Sequence, residues 1–148
     1  MNRLNERHVV ICVDDDPGVL AALSRSLRSE PYQLLTTEQP EVALRWIESR
    51  DVSAVVSDQK MPGMTGTEFL AEVSARSPDT ARIMLTAYAE DLGSLPKLRL
   101  RQSIECLIAK PWDDGSLRQT IREFLFTREI EDPRGGDKPR DRKGAKAL

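Results

Sequence analysis

Acidic, hydroxyl and amino side chains follow four short apolar runs of this chain, at the point where each run ends. They are Asp14 and Asp15 after VVICV, Asp58 after VSAVVS, Thr86 after RIML and Lys110 after CLIA. Because ligands of an open parallel α/β sheet gather outside the carboxyl ends of its strands, we expect these side chains to share one pocket. Three carboxylates there would hold a divalent cation, with water and a phosphoryl oxygen completing its shell. The pattern predicts phosphoryl chemistry on a carboxylate.

The elements that must position these residues alternate between strand-like and helix-like stretches. The predicted strands are residues 9–13, 32–36, 53–57, 82–87 and 104–109, and apolar residues at helical spacing follow each of the first three and the fifth. This alternation favours right-handed crossovers and a parallel sheet with helices on both faces. The first, third and fifth runs are almost wholly apolar, which predicts strands covered on both sides.

Composition limits the broad class. The chain has 148 residues, of which 39% are apolar and 31% charged, and this predicts about one domain. Its net charge of −2 offers no general footprint for nucleic acid. No signal peptide or membrane span is recognisable, and Cys12 and Cys106 have no paired motif, so we expect buried free thiols in a reducing cytoplasm.

Three segments are predicted along the chain. Residues 1–6 form a polar extension, and residues 7–127 hold all the strand and helix signals. Residues 128–148 are rich in Pro, Gly and charge, which is typical of a disordered tail. The basic end of this tail fits either a solvated segment, which we favour, or contact with an acidic surface.

The acidic residues also have ordinary structural explanations. One of Asp14, Asp15 and Asp16 is expected to cap the following helix, because Asp is a good N-cap. Three consecutive acids exceed that need, since their mutual repulsion raises their proton affinity unless a cation neutralises them. Asp58 by itself fits an Asx turn equally well, so only its surroundings can decide.

Those surroundings resemble the receiver domain of two-component response regulators. The motifs are VVSDQKMPGMTG around Asp58, Asp14-Asp15, Thr86-Ala87 and Lys110-Pro111, and the resemblance covers roughly residues 7 to 127. It implies a flavodoxin-like, doubly wound sheet of five parallel strands in the order 2-1-3-4-5. It also implies a phosphoacceptor with self-catalysed transfer and autodephosphorylation, not an enzyme.

The resemblance assigns roles around the acceptor. Asp58 matches the phosphoacceptor, which takes its phosphoryl group from a sensor histidine kinase, a phosphotransfer protein or a small acyl or amido phosphate. Asp14 and Asp15 match an acid pair that binds Mg²⁺ together with Asp58 and the backbone carbonyl of Lys60. Lys60 and Tyr88 match positions that set how fast water removes the phosphoryl group.

It also assigns the residues that respond to the phosphoryl group. Lys110 matches the lysine that pairs with a phosphoryl oxygen, and a cis peptide to Pro111 is implied. Thr86 matches the switch hydroxyl, and Ala87 keeps access to the site open. The downstream protein partner is expected on the face of the fourth helix, fifth strand and fifth helix.

Two features depart from the family pattern. Leu107 stands where the family usually has the aromatic residue of the switch, so an altered switch is expected. The stretch predicted to hold the fourth helix, residues 89–103, contains Gly93 and Pro96; a proline inside a helix costs about 3 kcal/mol, so that helix either begins near Pro96 or is broken. The Lys-Pro-Trp-Asp sequence at Lys110 resembles receivers joined to phosphodiesterase or kinase modules more than those joined to DNA-binding ones.

The sequence therefore favours a stand-alone receiver that accepts a phosphoryl group and signals in trans, without binding nucleic acid or membrane. Two other hypotheses remain open. One is a docking module that is read without phosphorylation. The other is a haloacid-dehalogenase-type phosphatase with Asp14 as nucleophile and Asp16 as acid, which leaves Asp58 unexplained and lacks room for a cap domain.

Overall fold

A single parallel sheet organises the fold. The computed structural model describes residues 8–87 and 103–131, with side chains to residue 128. Its strands are β1 (Val9–Val13), β2 (Gln33–Thr37), β3 (Ala54–Ser57), β4 (Ala81–Thr86) and β5 (Cys106–Ala109). They lie in the order β2-β1-β3-β4-β5, and every pairing is parallel. The predicted fold class and strand order are confirmed.

Helices flank this sheet on both faces. The described part of the chain contains α1 (Pro17–Ser26), α2 (Pro40–Ser49), α3 (Gly66–Arg76) and α4 (Asp114–Glu131). Helix α4 is the one predicted as the fifth, because nearly all of the stretch predicted to hold the fourth, residues 89–103, lies outside the described residues.

Local sequence signals set where these helices begin. Proline occupies the start of α1 and α2, where its missing N–H is not needed. Asp16 caps α1 by accepting a hydrogen bond from the backbone N–H of Gly18, so one of the three consecutive acids does cap, as predicted. Helix α3 begins with a reciprocal capping box between Thr65 and Glu68.

Strand side chains alternate between two apolar cores. In β1, Val10 and Cys12 face one core, whereas Ile11 and Val13 face the other. The first core packs against α1 and α4 through Leu20, Leu23, Leu117, Ile121 and Leu125. The second packs against α2 and α3 through Ala43, Leu44, Ile47, Phe69, Leu70 and Val73. This arrangement holds the carboxyl ends of β1, β3 and β4 in fixed positions.

The prediction that the fifth strand is covered on both sides is wrong. β5 lies at the edge of the sheet, and its residues alternate between half-buried and exposed, with the Leu107 side chain 45% exposed. Cys106 is accordingly half-buried, whereas Cys12 is buried, and both are free thiols. The apolar run by itself did not distinguish an edge strand from a central one, whereas the strand order implied by the resemblance does place the fifth strand at the edge.

The predicted start of the tail at residue 128 also needs correction. Helix α4 continues to Glu131, and the Arg128 guanidinium donates to the Val52 carbonyl at 3.2 Å and lies 3.8 Å from Asp51. Arg128 therefore belongs to the folded unit. The expected extension, residues 1–6, and the remainder of the tail, residues 132–148, lie outside the described residues.

Across residues 8–87 and 103–131, no helix combines the length and the apolar character needed to cross a bilayer.

Candidate functional site

The ends of β1 and β3 bring the predicted acids together. The backbone N–H of Asp58 donates to the Val13 carbonyl at 3.0 Å, which places the end of β3 beside the end of β1. Asp14, Asp15 and Asp58 each offer a carboxylate oxygen within 4.8 Å of the other two. Asp14 and Asp58 are buried, whereas Asp15 is exposed. The cluster is thus open to solvent on one side.

Lys110 reaches this cluster from the end of β5. Its ammonium lies 2.8 Å from Asp14 Oδ2 and 3.0 Å from Asp58 Oδ1. Its backbone N–H donates to the Thr86 carbonyl at 2.9 Å, and the peptide bond to Pro111 is cis, as the resemblance implied. One ammonium therefore bridges two carboxylates.

Burial and charge act in opposite directions on these groups. Burial raises the pKa of Asp14, and the nearby Asp58 charge adds to this, whereas hydrogen bonds from Lys110 and from the Asp16 N–H lower it; the net pKa is raised. Burial alone would lower the pKa of Lys110, but its hydrogen bonds to Asp14 and Asp58 outweigh burial and raise it. The repulsion that raises the pKa of Asp14 comes from Asp58 and not from the consecutive acids Asp15 and Asp16, and burial is the larger cause.

The nearby Cys12 thiol is held in its protonated form. Burial, and then the Asp14 charge, raise the pKa of Cys12 to about 12, so the thiol stays protonated at neutral pH.

The loop that carries Asp58 is held by contacts that sequence reasoning missed. The Gln59 side-chain oxygen accepts from both the backbone N–H and the hydroxyl of Thr67, each at 2.9 Å. The Gly66 N–H donates to the Gln59 carbonyl at 2.8 Å, and a Cβ at Gly66 would lie 2.1 Å from the Asp58 carbonyl oxygen. The motif contained Gly66, but only the fold shows that close approach to Asp58 requires a glycine.

The other predicted residues lie around the cluster. Thr86 is fully buried at the end of β4, and Ala87 beside it is exposed. Lys60 is exposed, two positions after Asp58 in the same loop. Tyr88 lies outside the described residues. Leu107 points away from the core on β5, where it is 45% exposed.

The donor set suits a small divalent cation. Carboxylate oxygens are the ligands that Mg²⁺ prefers, and it retains several water ligands when it binds to proteins. The two buried carboxylates and the exposed Asp15 supply such oxygens while leaving one side accessible to water. The residues present therefore fit Mg²⁺.

The sequence matches a family model over the same region. Residues 10–122 match the response regulator receiver domain. The chain belongs to that family. The match spans β1 to the middle of α4, so every residue of the acidic cluster lies within the receiver domain.

Similar proteins differ in how much of their length this chain covers. The chain is 33% identical, over 86% of its length, to the hydrogenase transcriptional regulatory protein HoxA of Cupriavidus necator, of which it covers 26%. It is 27% identical, over 82% of its length, to sporulation initiation phosphotransferase F of Bacillus subtilis, of which it covers 95%. The chain spans about a quarter of the length of the first curated relatives.

Among solved structures, the chain is similar to the response regulator protein TrrA of Thermotoga maritima in complex with Mg²⁺ and BeF. The TM-score is 0.70 at 26% identity, and the match covers 79% of this chain and 98% of that one. The receiver fold is thus shown by sequence and structure together.

Proposed function

We propose that this receiver domain accepts a phosphoryl group on Asp58 with the help of Mg²⁺, and that phosphorylation changes its affinity for a protein partner. The observation that carries this proposal is the convergence of three carboxylates and one ammonium. Asp14, Asp15 and Asp58 lie together, and the Lys110 ammonium is within 3.0 Å of two of them.

In the proposed transfer, one bond to phosphorus forms while another bond to phosphorus breaks. An Asp58 carboxylate oxygen forms a bond to phosphorus, while the bond from phosphorus to the donor nitrogen breaks and its electrons return to the donor. With a sensor histidine kinase or a phosphotransfer protein the leaving group is an imidazole; with phosphoramidate it is ammonia. The product is an acyl phosphate on Asp58, and water later attacks it to release inorganic phosphate.

Phosphoryl transfer depends mainly on positioning and charge neutralisation. Bound Mg²⁺ would supply the charge neutralisation. Asp14, Asp15, Asp58 and the Lys60 backbone carbonyl would hold it. Lys110, which lies 3.0 Å from Asp58, would then pair with a phosphoryl oxygen.

Thr86 is proposed to respond to the new group. It is fully buried at the end of β4, beside the exposed Ala87, and its hydroxyl would move towards the acyl phosphate. Phosphorylation shifts a binding equilibrium only when the two states make different contacts with the partner. We place those contacts on the face that includes β5 and α4, and we expect Leu107, in place of an aromatic residue, to alter how that face responds.

The first test is the mass of the intact protein after incubation with Mg²⁺ and phosphoramidate. We expect one added phosphoryl group on the unaltered protein and none on Asp58→Asn. Asp14→Asn, which weakens the metal site but keeps the acceptor, should be phosphorylated far more slowly.

The same experiment distinguishes the other hypotheses. An adduct that persists in Asp58→Asn and disappears in Asp14→Asn would favour the phosphatase, although Asp16, its proposed acid, here caps α1. No adduct on the unaltered protein would favour the docking module. Action in trans and the absence of nucleic-acid and membrane partners stay predictions, as does the expectation of a phosphoacceptor without enzyme activity on a separate substrate.

A second test examines the proposed partner face. Backbone amide NMR shifts are compared with Mg²⁺ alone and with Mg²⁺ and beryllofluoride, which mimics the phosphoryl group. We expect shifts on β5 and on the exposed side of α4 as well as at the site. Shifts confined to the loops around Asp58 would contradict signalling through this face.

A further inference from the structure

A closed hydrogen-bond network joins the turn after β5 to the end of α1. We call it the Trp112 network; its members are Trp112, Ser26 and Asp114. The Trp112 indole N–H donates to Ser26 Oγ at 3.0 Å and to Asp114 Oδ1 at 3.1 Å. The Ser26 hydroxyl also donates to Asp114 Oδ1, at 2.5 Å. The indole N–H, the Ser26 hydroxyl and Asp114 Oδ1 thus each have two partners inside the network.

Helix capping does not explain this arrangement. The neighbouring Asp113 already accepts the Ser116 N–H at 2.8 Å and caps the start of α4. Asp114 instead turns its carboxylate towards α1, where Ser26 is buried. Arg118, one turn further along α4, donates to the Ser26 backbone carbonyl at 2.9 Å. Two successive turns of α4 therefore hold the same residue of α1.

The network lies beside the residue that enters the acidic cluster. Trp112 is two positions after Lys110, and its ring packs against the core between α1 and α4. On the other side, the Lys110 backbone N–H is bonded to the Thr86 carbonyl. The main chain of Lys110 is thus held by β4 through its own N–H and by the Trp112 network two residues further along the chain. The lysine side chain has a limited length, so the position of its main chain limits which carboxylates the ammonium can reach.

We propose that the Trp112 network is a positioning device for Lys110, which holds the β5–α4 turn so that the ammonium is directed to the acceptor site. This inference rests on the proposed function of Asp58. Trp112, Ser26 and Asp114 touch neither the phosphoryl group nor the metal; they act through Lys110.

The test measures phosphorylation by phosphoramidate at saturating Mg²⁺ in Trp112→Phe and Ser26→Ala. Trp112→Phe retains an aromatic ring and removes the indole N–H, and Ser26→Ala removes the hydroxyl. We expect the rate constant to fall about tenfold in each, because small misplacement of a charged group costs heavily in transfer reactions. The Mg²⁺ concentration for half-saturation should stay within about twofold, since the carboxylates remain in place.

The chain offers a matched control for each variant. Trp46, in α2, is a half-buried tryptophan on the other side of the sheet. Ser53 is a buried serine bonded to His8 near the amino ends of β1 and β3, away from the site. Trp46→Phe and Ser53→Ala should leave the rate unchanged. A comparable loss in the controls would show a general effect of destabilisation and would overturn the inference.

A double-mutant cycle with Lys110→Met separates positioning from a merely structural role. If the network acts through Lys110, Trp112→Phe should lower the residual rate of Lys110→Met no further. The ¹⁵N signal of the Lys110 ammonium should also shift in Trp112→Phe and Ser26→Ala but not in the controls.

Two failures remain distinguishable. An unchanged rate in Trp112→Phe and Ser26→Ala, or an equal loss with and without Lys110, overturns the positioning role alone. Absence of any adduct on the unaltered protein overturns the proposed function and the inference with it.

Discussion

At the scale of single residues, the site buries a carboxylate, and burial of that charge lowers the stability of the fold. Asp14 is 2% exposed, and its nearest compensation is one ammonium that it shares with Asp58. A buried carboxylate without full compensation has a raised pKa, which is the direction found for Asp14. Such a site favours a bound cation, because the cation supplies the missing positive charge.

The substitution Asp14→Asn should therefore stabilise the metal-free protein at pH 7. We expect its free energy of unfolding to rise by about 1 kcal/mol, because the neutral amide removes a buried charge and substitutions at functional sites often stabilise a protein by such an amount. The folded-state pKa of Asp14 lies above the ordinary value of 3.8, so the wild-type protein is penalised at pH values above its folded pKa. The advantage of the variant should shrink as pH falls through that pKa towards 3.8 and vanish below it.

Urea unfolding at several pH values without divalent cations measures this difference. Asp16→Asn is the control, because Asn caps helices about as well as Asp and the residue is exposed. If Asp14→Asn is less stable than the unaltered protein at pH 7, the pairing with Lys110 outweighs burial.

At the scale of elements, the site depends on how closely α3 approaches the end of β3. Gly66 begins α3, and its α-carbon lies close to the Asp58 carbonyl. The same carbonyl accepts a hydrogen bond from the Ser57 hydroxyl at 2.8 Å. The Gln59 side chain is bonded to Thr67 in the first turn of the same helix. The acceptor loop and the start of α3 are thus one rigid unit.

Gly66→Ala should break this unit. Its Cβ would lie 2.1 Å from a backbone oxygen, so either α3 or the Asp58 loop must move. We expect a loss of about 2 kcal/mol in the free energy of unfolding, which is typical of overpacking, and slower phosphorylation of Asp58.

Thermal unfolding and the phosphoramidate reaction measure the two effects. Gly115→Ala makes the same change in the first turn of α4, where the nearest atom would be a side-chain oxygen at 3.4 Å. This control should be neutral or stabilising, by less than about 1 kcal/mol. Equal effects of the two substitutions would contradict a special role for Gly66.

At the scale of the whole molecule, folding creates the metal site. Asp14 and Asp58 lie far apart in the sequence and meet only because β1 and β3 pair side by side. The unfolded chain has no such cluster, so a cation that needs all three carboxylates binds only the native state. Binding must then stabilise the fold by mass action.

Mg²⁺ should accordingly raise the melting temperature. At a free concentration about one hundred times the dissociation constant, the free energy of unfolding should increase by about 2.7 kcal/mol. Asp58→Asn should lose most of this response, and EDTA should reverse it. NaCl at matched ionic strength is the control, and an equal response to NaCl would mean that screening, not a specific site, stabilises the protein.

Much of this arrangement was determined by the sequence alone. The alternation of apolar runs and amphipathic stretches indicated a parallel sheet with helices on both faces, because strands and helices have different side-chain periods. The motifs at the strand ends identified Asp14, Asp15, Asp58 and Lys110 as residues that meet, since parallel strands all present their carboxyl ends at one edge of the sheet.

Only the tertiary structure decided the rest. The alternating exposure along β5 depends on which elements pack against it, and an apolar run carries no information about its neighbours in space. The bond between Ser26 and Asp114 joins residues 88 positions apart, and neither belongs to a recognisable motif. The raised pKa of Asp14 follows mainly from burial. Contacts and burial arise when the chain packs, so local sequence patterns cannot specify them.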